Sequence, residues 1–285
     1  MILRWAELIE ANGLEFHVRD EGSGTPVLLL HGFPDTGDLW RNQVPVLARS
    51  GFRTIVPDMR GRGRSSKPET VSDYRLSTIV RDVARILDAL GIERAHVVGH
   101  DWSAAVAWLL AALAPERVDR LVAISVGAPG TGAKPTLEEF QKGWYRLLFL
   151  FEGVAEELLS RDDWYLFRLF LTGAKDTDSY VKTLSEPGAL TPALNWYRAN
   201  LPAQDRLHRE VRAILGRTGG PQLPMINADT LGIWSTGDLY LTEEAMTRSA
   251  QRVQGRWPYE RFEGSHWVPL DQADRLNRLL IDFFS

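Results

Sequence analysis

Residues 97–105 read VVGHDWSAA and join an apolar strand to a helix. The strand is predicted over residues 95–98, and an alanine-rich helical run follows from Ser103 to Leu113. Asp101 lies between them, with a small residue two positions before it and another two positions after it. The pattern small-x-nucleophile-x-small is typical of a nucleophile elbow, a strained turn between a strand and a helix that needs small neighbours.

The residue at the centre of this elbow is an aspartate, where serine is the usual residue. A carboxylate is already ionised at neutral pH, so Asp101 needs no base before it attacks a substrate. It suits attack on a saturated carbon, which gives an alkyl-enzyme ester that water must then open. The elbow therefore predicts covalent catalysis by a carboxylate.

Length and composition are those of an ordinary globular protein. The chain has 285 residues, of which 44% are hydrophobic and 25% charged, and its formal net charge is −4. This charge gives no reason to expect nucleic acid or an anionic membrane as a partner. The chain has no cysteine, which excludes disulfides, thiolate catalysis and cysteine metal sites. The N-terminal residues do not resemble a signal peptide, and no stretch approaches the roughly 20 apolar residues of a membrane span, so we expect a cytoplasmic protein.

Strands and helices alternate on both sides of the elbow. A hairpin is predicted over residues 5–20, with its turn at Asn12-Gly13. Further strands are predicted at 26–30, 53–57, 95–98, 121–126, 231–235 and 259–263. Helices are predicted at 39–49, 76–90, 103–113 and 274–284. The alternation indicates an α/β fold with a mostly parallel sheet, flanking helices and right-handed crossovers.

The alternation stops in the middle of the chain. From Thr136 to about Gly220 the chain contains only helical stretches and loops, with many aromatic residues, and glycine and proline close the region at 216–224. We therefore expect one sheet domain formed by residues 1–128 and 223–285. The helical insertion, residues 129–222, interrupts it.

Two strands after the insertion are each followed by a residue that could complete a catalytic triad with Asp101. The strand at 231–235 is followed by Asp238, and the strand at 259–263 is followed by His266. An aspartate at the end of one strand is more often a turn or cap residue. Asp101, Asp238 and His266 together, however, follow the order nucleophile, acid, base of α/β hydrolases. Each follows a predicted strand, so all three are expected at the carboxyl edge of the sheet, where ligands bind in open α/β folds.

With these residues the chain resembles the α/β-hydrolase fold. More closely it resembles the epoxide hydrolase family, whose neighbours are the haloalkane and fluoroacetate dehalogenases. The similarity runs nearly from end to end. The segment 31–34, HGFP, resembles the oxyanion loop of the family, and the segment 99–102, GHDW, resembles its elbow. Ser103 departs from the glycine often found there, and little effect is expected because serine is also small, although its hydroxyl could bind water.

The resemblance also assigns two tyrosines in the insertion, which corresponds to the cap of the family. Epoxide hydrolases use two cap tyrosines to hold and protonate the epoxide oxygen. The first corresponds to Tyr145, which precedes the segment GVAE at 153–156, and the second to Tyr197, in the segment NWYR at 195–198. Without the family, Tyr145 would be interpreted as a core aromatic residue on a helix.

The resemblance implies hydrolysis of an epoxide to a vicinal diol, with no metal and no organic cofactor. Tyr145 and Tyr197 would bind the ring oxygen while Asp101 attacks a ring carbon. His266, oriented by Asp238, would then activate the water that opens the ester.

Further roles follow from the same resemblance. Backbone N–H groups of Phe33 and Trp102 are expected to form the oxyanion hole of the second step. His31 and Asp58 are expected only to shape their loops, and His100 is expected to point away from the nucleophile. The glutamates at 139, 156 and 157 are interpreted as solvated helix faces. The expected partners are water and a small apolar or aromatic epoxide, and the chain is expected to be a monomer or a homodimer.

Two other functions stay open at this point. A haloalkane or haloacid dehalogenase would use the same Asp101, with Trp102 as a halide ligand. Such enzymes usually add an asparagine at the position of Phe33 or a second cap tryptophan, and fluoroacetate dehalogenases have arginine in place of Trp102. The two tyrosines therefore favour an epoxide. A non-catalytic small-molecule binding protein is compatible with the fold, but a binding protein has no need of a water-activating pair.

Overall fold

A computed structural model describes residues 4–131, 136–201 and 223–285 of the chain. The strands of the described residues are β1 Arg4–Ala11, β2 Leu14–Gly22, β3 Thr25–Leu30, β4 Phe52–Pro57, β5 Ala95–His100, β6 Val118–Ile124, β7 Asp229–Gly237 and β8 Tyr259–Ser265. They form one sheet in the order β1-β2-β4-β3-β5-β6-β7-β8. The β1–β2 and β2–β4 pairs are antiparallel, and the other pairs are parallel.

The helices fall into three groups along the chain. Before the insertion are α1 Val44–Arg49, α2 Leu76–Ala89 and α3 Trp102–Leu113. Between β6 and β7 are α4 Leu137–Lys142, α5 Tyr145–Phe149, α6 Val154–Phe170, α7 Thr177–Leu184 and α8 Leu190–Asn200. After β7 are α9 Glu243–Thr247, α10 Val268–Asp271 and α11 Ala273–Phe284. Short 3-10 segments are Gly37–Trp40, Val71–Tyr74, Pro115–Arg117 and Arg248–Arg252.

The central strands are apolar on both faces because helices cover the sheet on both sides. All six residues of β5 are buried, as are the last four of β3. α2 covers the sheet with the predicted apolar face, where Ile79, Val83 and Ile86 are buried. This part of the chain has the predicted α/β-hydrolase architecture.

The structure confirms the hairpin and corrects two element boundaries. Asn12 and Gly13 have φ of 50° and 75°, which a type I′ turn requires. The helix predicted at 39–49 is instead a 3-10 turn followed by α1, because Pro45 lacks the N–H that a continuous helix would need. The strand predicted at 121–126 ends at Ile124, because Ser125 takes a left-handed φ of 72°.

The insertion supplies only helices among residues 136–201. Within α6 the backbone is non-helical at residues 161–164, where Asp162, Asp163 and Trp164 have φ of 53°, 52° and 60°. Two helices joined by this left-handed turn therefore make up α6. No helix in the described ranges is long and apolar enough to cross a membrane.

Candidate active site

The elbow has the strained backbone that its sequence predicts. Asp101 stands between β5 and α3 with φ 52° and ψ −125°, a region that side chains other than glycine rarely adopt. A Cβ on Gly99 would lie 2.3 Å from the carbonyl oxygen of Ser103 and 2.7 Å from the Cα of Ala104. The small residue before the nucleophile is therefore a packing requirement of the turn.

The loop after β3 packs directly on this elbow. A Cβ on Gly32 would lie 2.4 Å from the Cβ of Asp101, so only glycine fits there. The backbone N–H of Phe33 donates to Oδ1 of Asp101 at 2.9 Å. The hydroxyl of Ser103 donates to the carbonyl of His31 and so ties the elbow helix to the loop, a structural role in place of the water site considered from the sequence.

The second expected oxyanion donor is the N–H of Trp102. Trp102 is the first residue of α3, and the first N–H groups of a helix have no partner within it. The positive end of the helix dipole lies at the same point. An oxyanion beside Asp101 would therefore meet donors from two elements, the loop at Phe33 and the start of α3.

The three triad residues meet at the carboxyl edge of the sheet. Asp101, Asp238 and His266 follow β5, β7 and β8, and all three are buried. Nδ1 of His266 lies 2.8 Å from Oδ2 of Asp238, and its Nε2 lies 3.7 Å from Oδ2 of Asp101. Oδ1 of Asp238 accepts the backbone N–H groups of Tyr240 and Leu241 at 2.9 and 3.0 Å. One imidazole thus stands between two carboxylates.

These carboxylates control the charge of the imidazole. Burial alone would lower the pKa of His266, but Asp238 and Asp101 outweigh it and raise the pKa to about 9. Burial would raise the pKa of Asp238, but His266 and the N–H groups of Tyr240 and Leu241 hold it below its usual value. At neutral pH the resting site therefore contains an imidazolium and an ionised Asp238.

Two further buried groups, His100 and Asp35, lie next to the triad. His100 was expected only to point away from Asp101, and its contacts are with His266: its ring centroid is 4.6 Å from that of His266, and its Nε2 lies 3.0 Å from the carbonyl of His266. Burial lowers the pKa of His100 to about 3, so it is neutral. Asp35 accepts the hydroxyl of Tyr180 at 2.6 Å, and burial raises its pKa to about 7. The only signal for Asp35 was its place two residues after Phe33.

The two cap tyrosines lie against the elbow and its loop. The ring centroid of Tyr197 is 5.1 Å from that of Trp102 and 5.5 Å from that of Phe33. The ring of Tyr145 is 5.9 Å from that of Tyr197, and both tyrosines are buried. Burial raises the pKa of both hydroxyls, that of Tyr197 well above its ordinary value, and the charge of Asp101 adds to both shifts. Both phenols are therefore protonated, and the negative charge of Asp101 acts on both of them.

Arg198 connects the helix of Tyr197 to two other helices of the insertion, α6 and α5. Arg198, next to Tyr197, donates to both carboxylate oxygens of Glu156 at 2.7 and 2.8 Å. Its Nε also donates to the carbonyl of Phe149, in the helix that begins with Tyr145. The interpretation of Glu156 as a solvated residue was wrong, because its partner is 42 positions away in the sequence.

Glu139 was also wrongly interpreted as solvated. It caps α4 through the N–H of Thr136 at 2.7 Å and pairs with Arg248 at 2.6 Å. The loop roles of His31 and Asp58 are confirmed: Nε2 of His31 accepts the N–H of Met59 at 3.0 Å. Asp58 accepts two backbone N–H groups.

The structure thus brings all the candidate residues of the sequence together: Asp101, Asp238, His266, Tyr145, Tyr197, Phe33 and Trp102. The arrangement contains a nucleophilic carboxylate, a histidine–acid pair, backbone N–H donors and two phenols. Groups of this kind can form an ester, stabilise an oxygen anion and activate water.

Comparison with known proteins gives the family of the chain. A family described as alpha/beta hydrolase fold matches residues 25–273. Epoxide hydrolase A of Mycobacterium tuberculosis (strain ATCC 25618 / H37Rv) is 30% identical, over 98% of this chain and 96% of the relative. The AB hydrolase superfamily protein YfhM of Bacillus subtilis (strain 168) is 29% identical, over 97% and 96%. The crystal structure of Epoxide Hydrolase A from Mycobacterium thermoresistibile superposes with a TM-score of 0.79 at 27% identity, over 98% and 97% of the two chains. The chain therefore belongs to the epoxide hydrolase family of the α/β-hydrolase fold.

Proposed function

We propose that the chain converts an epoxide to a vicinal diol in two steps, through a covalent ester on Asp101. The observation that carries the proposal is an elbow carboxylate next to two buried phenols whose ring centroids are 5.9 Å apart. A carboxylate nucleophile requires a leaving group on a saturated carbon, and paired phenols suit a leaving oxygen. Membership of the epoxide hydrolase family supports the same substrate class.

In the first step Asp101 attacks a ring carbon and the carbon–oxygen bond of the epoxide breaks. Oδ1 of Asp101 already accepts the N–H of Phe33, so Oδ2 is the free nucleophilic atom. Negative charge develops on the ring oxygen, where Tyr145 and Tyr197 donate hydrogen bonds. The alkoxide takes a phenolic proton, and the product is a hydroxyalkyl ester.

The first step prepares the base for the second. The charge of Asp101 helps to raise the pKa of His266, and the ester is neutral, so alkylation lowers that pKa towards the value of an effective base. The phenolate takes the proton of the imidazolium, and the neutral His266 then takes a proton from water, which attacks Cγ of Asp101. The oxyanion forms at Oδ1, where the N–H groups of Phe33 and Trp102 donate to it. Expulsion of the diol restores the carboxylate.

A single turnover in water labelled with the heavy isotope of oxygen tests this scheme. With enzyme in excess over an aryl epoxide such as styrene oxide, the first diol takes its new oxygen from Asp101 and is unlabelled. The label enters the Asp101 peptide instead. A labelled first diol would contradict the ester and favour direct attack by water.

His266→Gln gives a second test of the same scheme. The variant retains the nucleophile and loses the base, so we expect it to stop at the ester. Mass spectrometry should then find the added mass of the epoxide on the Asp101 peptide. An unmodified peptide, with an epoxide that the wild type consumes, would count against the two-step reaction.

The dehalogenase alternative draws less support from the site. The indole of Trp102 packs against the ring of Tyr197, at 5.1 Å between centroids, so the group that a halide would need lies beside a phenol. Phe33 offers only its backbone N–H, and that group binds Asp101. Halide release from a haloalkane without diol formation from any epoxide would favour the alternative.

A further inference from the structure

Arg146 follows Tyr145 on α5, and its side chain lies over that residue. The guanidinium carbon is 5.7 Å from the centroid of the Tyr145 ring, so its positive charge lies beside that side chain. Nη2 of Arg146 points to the backbone carbonyl of Tyr240, at 3.5 Å. The position of the guanidinium is thus set by a phenol and a carbonyl.

No carboxylate in the described part of the chain forms an ion pair with Arg146. Other arginines of the cap do have such partners: Arg198 pairs with Glu156 at 2.7 Å and Arg168 with Asp178 at 2.5 Å. A half-buried guanidinium without a counterion acts most strongly on the nearest group that can become negative. For Arg146 that group is the hydroxyl of Tyr145.

Tyr197 has different surroundings. Rings enclose it, with Phe149 at 4.9 Å, Trp102 at 5.1 Å and Phe33 at 5.5 Å between centroids. The guanidinium of Arg62 packs on the ring of Phe33 at 4.9 Å, so it is in contact with a neighbour of Tyr197. The two phenols therefore differ in how directly a cation reaches them.

We propose that Arg146 makes Tyr145 the phenol that gives its proton to the opened epoxide oxygen, while Tyr197 holds that oxygen by a hydrogen bond and keeps its own proton. The inference rests on the proposed epoxide chemistry. The O–H bond of Tyr145 breaks as the new O–H bond of the alkoxide forms. The resulting phenolate, paired with Arg146, regains a proton from the His266 imidazolium, and the neutral imidazole then takes a proton from water, which restores the imidazolium. Arg146 is a positioning residue, because it acts through Tyr145.

The charges around Tyr145 support this division. Burial raises the pKa of Tyr145, Asp101 and Asp238 raise it further, and Arg146 is the cation that opposes them. The hydroxyl-bearing neighbours that face Tyr145 are Tyr197, at 5.9 Å, and Tyr240, at 5.8 Å between centroids.

Around Tyr197 burial also raises the pKa, and the side chains of Tyr145 and Asp101 add to the shift. The indole of Trp102 and the charge of Arg62 oppose it, and the pKa still stays well above the ordinary value. The cation that opposes these shifts lies directly beside Tyr145, whereas Arg62 is separated from Tyr197 by the ring of Phe33.

The test compares Arg146→Gln and Arg146→Lys with the wild type in two measurements. The first is the alkaline titration of tyrosinate by ultraviolet absorbance, which needs no substrate. The second is the single-turnover alkylation rate as a function of pH. Arg85→Gln, on the exposed surface of α2, is the matched control because it removes one positive charge far from the site.

We expect Arg146→Gln to move the titration of Tyr145 to higher pH and to slow alkylation by about tenfold, the effect of one pKa unit. The alkaline limb of the pH–rate profile for alkylation should also move to higher pH. Arg146→Lys retains the charge and should restore most of both effects, which a purely structural role would not explain. Arg85→Gln should match the wild type in both measurements.

Double variants show which phenol Arg146 serves. In a Tyr145→Phe background, Arg146→Gln should cause no further change in the alkaline limb. In a Tyr197→Phe background it should cause the full change. An unchanged tyrosinate titration in Arg146→Gln, or an equal effect in both backgrounds, would overturn the inference. Failure of the wild type to open any epoxide would contradict the proposed function instead, so the two failures are distinguishable.

Discussion

The edge of the sheet and the cap hold their functional side chains by different forces. At the edge, directional bonds fix individual atoms: His266 to Asp238 at 2.8 Å, and the N–H of Phe33 to Asp101 at 2.9 Å. In the cap, ring packing fixes whole side chains, as for Tyr145, which lies 4.9 Å from Phe170 between centroids. The attack by Asp101 and the activation of water by His266 depend on atom-to-atom distances at the edge, whereas two phenols of the cap share the binding of one substrate oxygen. The difference predicts larger losses from changes at the edge than in the cap.

The largest effect is expected for Asp101→Ala. Removal of the nucleophile eliminates the ester, so diol formation should fall by a factor on the order of 10^4 or more. The product is measured by chromatography under saturating substrate, with circular dichroism to check the fold. Residual turnover of several per cent would mean that water opens the epoxide directly and that the edge is not the centre of the chemistry.

Replacement of the phenols should cost less. Tyr145→Phe and Tyr197→Phe remove a hydroxyl and retain the ring packing, so each should slow alkylation by about a hundredfold. Thermal stability should change little. Tyr165→Phe, on an exposed residue of α6, is the matched control. A loss of stability as large as the loss of rate would show that the hydroxyls hold the cap together, contrary to the comparison.

The pH dependence of His266 gives a smaller but more specific test. Asp101→Asn removes one of the three carboxylates, with Asp238 and Asp35, that raise the pKa of His266 to about 9, so the pKa should fall. A pKa above the unfolded value stabilises the fold fully below about pH 6.5, and this stability is lost as the pH rises through about 9. The wild type should therefore lose more unfolding free energy across that range than the variant.

Two measurements check this prediction. Proton NMR of the imidazole gives the pKa in both proteins, and urea unfolding at each end of the range gives the free energies. An identical imidazole titration in Asp101→Asn would mean that the two residues are not coupled at 3.7 Å.

The smallest effect is expected where the cap does use a directional bond. Glu156→Gln breaks the two-oxygen ion pair with Arg198 and should lower the free energy of unfolding by about 1–2 kcal/mol. Glu157→Gln, an exposed neighbour, should change it by less than about 0.5 kcal/mol. Equal values in a urea titration would mean that ring packing alone holds these helices.

The sequence predicted the edge better than the cap for a physical reason. The triad follows strand ends, and parallel strands bring those ends to one edge, so chain order was enough to place Asp101, Asp238 and His266. Tyr145 packs like a core aromatic residue, with Phe149 at 5.4 Å between centroids, so its pattern alone could not distinguish it from one. The partner of Glu156 depends on tertiary contacts between distant helices, which local periodicity does not encode.

Two turns within the sheet domain show the same limit of prediction from local sequence. The pair Asn12-Gly13 predicted the first hairpin correctly, because few residues adopt the positive φ angles of a type I′ turn. The left-handed conformation of Ser125, which ends β6, had no such local signal, and the predicted strand was therefore displaced towards the C-terminus.

The hydrogen bond from the Phe33 N–H makes the two oxygens of Asp101 unequal, and this asymmetry persists from one catalytic cycle to the next. Each diol takes Oδ2, the nucleophilic oxygen, and an oxygen atom from water replaces it. Oδ1, which accepts the Phe33 N–H, is retained. In labelled water the second diol should therefore carry a full isotope label. A second diol with only half of the full label would instead show that the carboxylate rotates between cycles. The labelled fraction would then compare the rate of that rotation with the turnover rate.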